Sequence, residues 1–176
     1  MKQEKTRSER VALLGLFAAL AVVLSALESA LPPLPVPGAR FGLANLAVTA
    51  ALWWLGAPAG ASVAAAKVLF VLLMRGATAA LLALGGTAAA FLVMIALLPL
   101  CRKEKLTFVG VSISAAAAHT AGQLGVASMW IGAAATAVAP WMLWISILSG
   151  AVTGLVLNVA VPRLTMLGTR SKGCDV

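Results

Sequence analysis

Ionisable side chains stand inside long apolar runs of this sequence: Glu28, Lys67 and His119, with Gln123 one helical turn after the histidine. A charged group at the centre of a bilayer costs about 2.5–3.5 kcal/mol on insertion scales, so such residues face a cavity or a partner. Lys67 is the clearest case. It lies in the middle of its apolar segment, where the stem reaches neither surface, and it is expected to point into a bundle, toward Glu28 directly or through water or ligand. Glu28 lies near the end of its run, where snorkelling is an equal alternative. His119 and Gln123 project the same way, with Ser112 further down that face, and an interhelical hydrogen bond explains them as well as a ligand does. Arg40, Asn45 and Arg75 flank the same runs. Three cations opposite one carboxylate, walled by apolar helices, form a pocket suited to a small anionic or zwitterionic solute. No catalytic residue, cofactor or metal site is expected: the sequence has no P-loop, no aspartate-rich diphosphate motif and no histidine or cysteine cluster.

The elements that must position these residues are membrane helices. Of 176 residues, 62% are hydrophobic and 10% charged, a composition that water does not tolerate. A crossing takes roughly 20 apolar residues, so the expected fold is all-α, an integral membrane bundle of about six transmembrane helices. The spans read Val11 to Leu31, two short pieces between Phe41 and Met74 divided at Gly56-Ala57-Pro58-Ala59-Gly60, Ala77 to Leu100, Leu106 to Trp130, and Pro140 to Val161 before Pro162. The short pieces are either two spans or a hairpin. Pro32 to Gly38 cannot continue a helix, and Gly85-Gly86 marks a kink or a close contact. The basic start resembles a signal peptide, but its run is long and more spans follow, which favours an uncleaved first helix.

The net charge of +8 is confined to the chain ends and one loop, which argues against nucleic acid and for membrane orientation. With Lys2, Lys5, Arg7, Arg10, Arg102, Lys103, Lys105, Arg163, Arg170 and Lys172 cytoplasmic, only Arg40 and Arg75 lie outside. This divides the chain into a basic cytoplasmic N-terminus (1–10), one polytopic domain (11–162) and a cytoplasmic tail (163–176) in the cell membrane. Trp130, Trp141 and Trp144 fall at the outer interface, Trp53 and Trp54 at the inner one. Cys101 and Cys174 share the cytoplasmic side, where no disulfide is expected. Helices associate in lipid through small residues. Ser146, Gly150, Gly154 and Asn158 make one such stripe, while Gly15 and Ala19 make a face on the first span that could dock another protein.

Glu28, Leu31-Pro32, the block Pro37-Gly38-Ala39-Arg40-Phe41-Gly42-Leu43-Ala44-Asn45, Lys67, Gly110 to Ile113 and His119-Thr120-Ala121-Gly122-Gln123 resemble the Gx transporter family, also labelled heptaprenyl diphosphate synthase component I. Arg40 stands where lysine is usual, Lys67 where arginine is, and Thr120 where asparagine is. The family is similar to the S components of energy-coupling-factor transporters, six-helix proteins that capture solutes and dock to a transmembrane coupling protein driven by ATPases. The resemblance thus implies a solute-binding transporter subunit. The synthase label implies instead a non-catalytic membrane partner of a prenyltransferase subunit.

Overall fold

A computed structural model describes residues 7–30, 42–132 and 134–170. Lys2, Lys5 and Lys172, the proline-rich segment with Arg40, and Cys174 lie outside the described residues. Among those described, every regular element is a helix: α1 (Arg7–Ala30), α2 (Asn45–Leu55), α3 (Ala57–Arg102), α4 (Phe108–Ile131), the single turn α5 (Ala134–Ala137) and α6 (Ala139–Arg170).

Two glycines reverse the chain. Gly56 (φ 92) separates α2 from α3, and Gly76 (φ 83, ψ 179) breaks α3 into arms 57–75 and 77–102. Both adopt a backbone that an L side chain resists. A Cβ on Gly60 would meet Leu52 and Phe91, each at 3.1 Å. In one unbroken helix Gly60 and Phe91 would stand about 46 Å apart, so the two arms fold back on each other. Val71 packs with Ala79 and Ala83 across the same break. α2 and the arms of α3 therefore run antiparallel in sequence.

α2 lies at the centre, with residues 47–52 all buried, and packs on α1, α3 and α6. At one end of the bundle Phe17 stacks on Trp54 at 5.6 Å and Trp53 meets Phe108 edge-on at 4.8 Å. The Arg102 guanidinium lies 5.1 Å over the Trp53 ring and donates to its carbonyl at 3.0 Å. Trp53 and Trp54 are thus packed against the core, unlike the exposed Trp130, Trp141 and Trp144.

Backbone contact joins the remaining helices. Gly85 and Gly122 meet where the second arm of α3 crosses α4, and a Cβ on Gly122 would collide with the Gly85 carbonyl. Gly85-Gly86 is therefore a close contact rather than a kink. On α6, a Cβ at Gly150 would stand 2.8 Å from Ala116 Cβ and one at Gly154 2.5 Å from Val109 Cα. Ser146 Oγ donates to the Ala116 carbonyl at 2.6 Å. Asn158, expected on the same stripe, is exposed. α6 also runs through Pro162, where a stop was expected. A proline removes one amide donor, and the turns on either side carry the helix on.

Among the described residues, three helices are long and apolar enough to cross a membrane: Arg7–Ala30, Ala57–Arg102 and Ala139–Arg163. Six spans were expected. α2 has only 11 residues, α3 holds two arms joined at Gly76, and α4 is diluted by Ser112, His119, Thr120 and Gln123. Outward positions such as Leu69, Leu73, Leu92, Leu148 and Val152 are exposed and apolar, which is what a lipid-facing surface needs.

Candidate functional site

The polar residues converge on the turn that opens α2. Glu28, near the end of α1, accepts the Leu43 amide on Oε1. Lys67, midway along the first arm of α3, is 1% exposed and donates from Nζ to Asn45 Oδ1 at 2.7 Å. A short contact of an ammonium with an amide oxygen is a charge-assisted bond. On α4, Gln123 Nε2 donates to His119 Nε2 at 3.1 Å, and both side chains are buried.

Two glycines make the slot in which the imidazole lies. A Cβ on Gly42 would approach His119 Cδ2 at 3.2 Å and one on Gly86 would approach Cε1 at 2.8 Å. Residues 42–45 thus form a hub touched from three sides: by α1 through Glu28 and Leu43, by α3 through Lys67 and Asn45, and by α4 through His119 and Gly42. A carboxylate, an ammonium, an amide and an imidazole held within an apolar bundle can bind and orient a small polar group.

Five of the candidate residues, Glu28, Asn45, Lys67, His119 and Gln123, are brought to this region. Arg75 is not. It is exposed beside Gly76, where the reversal of α3 turns it away from the hub. Arg40 lies outside the described residues. Gly150 and Gly154 serve packing of α6 on α4, whereas Gly15 and Ala19 are exposed on α1, and a Cβ at Gly15 would meet nothing within 4 Å. Lys67 does point into the bundle, and Asn45 is an acceptor for its ammonium that charge alone did not suggest. A register argument finds it: Asn45 and Lys67 are equidistant from Gly56, so a reversal there sets them at one depth. Gly86 reads as a close-contact position and Gly42 stands in the block of the family resemblance, but neither points to the His119 ring.

Residues 17–160 match the family model described as heptaprenyl diphosphate synthase component I. No curated protein and no solved structure matches the chain.

Proposed function

Because the chain belongs to the heptaprenyl diphosphate synthase component I family, we propose that it is a non-catalytic membrane subunit acting beside a separate prenyltransferase, the second component that the family's name implies. The family match over residues 17–160 carries this reading. The sequence supports the division of labour, since it contains no aspartate-rich motif to hold magnesium and a diphosphate. Chain elongation would then belong to the partner, and this subunit would supply the membrane platform. The test is purification of the tagged chain from its native membrane together with quinone analysis of a deletion strain. Co-purification of a soluble prenyltransferase and altered quinone side chains are expected. Normal quinones with no such partner would end this reading.

A second reading rests on the hub around residues 42–45. Ammonium, carboxylate and imidazole buried in an apolar bundle suit a solute-binding subunit of a transporter, S-component-like, that takes a small anionic or zwitterionic solute. Arg40 would add charge at its mouth. The partner would be a transmembrane coupling protein with ATPases, and the exposed Gly15 and Ala19 face of α1 would be its docking surface. Purified protein screened against small-metabolite pools should retain a compound and lose it in Lys67→Ala. No retention, with wild-type behaviour of Lys67→Ala in cells, would end this reading.

Both readings take the bundle as six crossings in the cell membrane with cytoplasmic termini. Division of α3 at Gly76 gives two antiparallel arms, and α2 and α4 complete the count. The helical region from 11 to 162 would form the single membrane domain.

A further inference from the structure

Between α2, α4 and α6 lies a small cavity of about 10 Å³, its walls including Gly42, Asn45, Thr49, Ser112, Gly150 and Thr153. That is the space of one water molecule. Two polar atoms of its lining residues, Asn45 Nδ2 and Ser112 Oγ, are buried without a hydrogen-bond partner among the described residues. Asn45 is 7% exposed and Ser112 6%, so bulk solvent does not satisfy them, and buried polar groups are nearly always bonded to protein or to ordered water.

The chemistry of the site follows from Lys67. Its ammonium donates to Asn45 Oδ1 at 2.7 Å, and a flipped amide would set N–H against N–H. Asn45 therefore offers a donor at its other end, which repels a cation and calls for an acceptor oxygen. Thr49 Oγ1 donates to the Asn45 carbonyl at 2.8 Å and Thr153 Oγ1 to the Gly150 carbonyl at 3.0 Å. The lone pairs of these hydroxyls remain available to a donor. An occupant must accept from an amide, donate to hydroxyls and be no larger than one oxygen atom with its hydrogens.

We propose that this cavity is a binding site for one ordered water molecule, which accepts from Asn45 Nδ2, bonds to Ser112 Oγ and so holds the Asn45 amide in the orientation that Lys67 requires. The water joins the α2 hub to α4 and α6, which otherwise meet through glycine contacts and the Ser146 bond. The site stands independently of either functional reading.

The test is water-to-protein cross-relaxation by NMR on the isotope-labelled full chain in detergent micelles or nanodiscs. The Asn45 side-chain amide protons should show a cross-peak to water with the sign of a long-lived bound molecule. Ser112→Val fills the cavity with carbon and should abolish it. Ser112→Ala leaves the space and the amide donor, so the peak should persist with reduced intensity; if the valine variant does not fold, the wild type and the alanine variant decide. Ser128→Ala, which removes an exposed hydroxyl bonded to the Gly125 carbonyl, should change nothing. Absence of the peak in the wild type, its survival in Ser112→Val, or its complete loss in Ser112→Ala, which would trace the signal to the hydroxyl itself, would each overturn the proposal.

Discussion

The Lys67 ammonium is buried at the midpoint of a helix arm and donates to the Asn45 amide oxygen. Hydrogen bonds to charged groups contribute about 1.5–3 kcal/mol, and a buried charge stripped of its acceptor loses at least that much. Asn45→Leu is therefore expected to lower stability by about 2–3 kcal/mol in thermal or denaturant unfolding of the detergent-solubilised protein. Asn45→Asp keeps an acceptor oxygen near the same place and adds a charge opposite to the ammonium, and should lose less stability than Asn45→Leu in the same measurement. Equal losses in both variants would mean that the acceptor oxygen is not what matters. His119 gives a second residue-scale expectation. Gly86→Ala places a methyl group 2.8 Å from both His119 Cε1 and the His119 carbonyl oxygen and 2.7 Å from Gln123 Cγ, so the surroundings of the ring must change. The imidazole carbon and proton resonances of His119 should shift in Gly86→Ala, and unchanged resonances would show that the slot is not closed on that side. At this scale the sequence was informative about which residues are anomalous and silent about whom they meet. Charge and depth did not single out Asn45 as an acceptor for Lys67, because hydropathy gives the height of a side chain in the bilayer and not the direction in which it points.

Helix pairing in this bundle depends on missing side chains, and not every glycine is equivalent. Gly122 faces the Gly85 backbone, and Gly154 would set a Cβ 2.5 Å from Val109 Cα. Relief in each case requires two helix backbones to separate, which forfeits packing along the whole contact. Gly122→Ala and Gly154→Ala are expected to cost about 1–3 kcal/mol each. Gly15→Ala and Gly125→Ala, where a Cβ meets nothing within 4 Å, should be neutral or slightly stabilising in the same unfolding measurement, since alanine favours a helix over glycine by up to about 1 kcal/mol. If all four variants behaved alike, close approach would not be the source of stability. The stripe of Gly150 and Gly154 and the doublet Gly85-Gly86 were legible as packing positions from four-residue spacing and from small size. The end of α6 was not. Pro162 reads as a stop because its amide is missing, yet a proline takes away one hydrogen bond, and the neighbouring turns hold the helix to Arg170.

The division of the molecule into crossings turns on Gly76. Length and composition give three helices among the described residues that are able to cross a membrane, but the 46-residue α3 is about 69 Å long if straight, more than twice the roughly 30 Å hydrocarbon core. It is not straight. Gly60 approaches Phe91 across the break, and Val71 approaches Ala79 and Ala83, so each arm has about the length of one crossing. If both arms cross, Gly76 lies on the face opposite the loop of Arg102, Lys103 and Lys105, which the positive-inside rule expects in the cytoplasm. Thr78, two residues past the break, and Lys103, at the end of the second arm, are both exposed, which makes them suitable reporters. In a chain with Cys101 and Cys174 replaced by serine, Thr78→Cys should react with a membrane-impermeant maleimide added to intact cells. Lys103→Cys should react only after the cells are permeabilised. Labelling of both from the same side would mean that the second arm does not cross, and the hub around residues 42–45 would then lie in a bundle with fewer crossings than six. Opposite labelling places a crossing between these two positions, as the six-crossing arrangement requires, and sets the charged loop and the Gly76 turn at the two ends of the second arm.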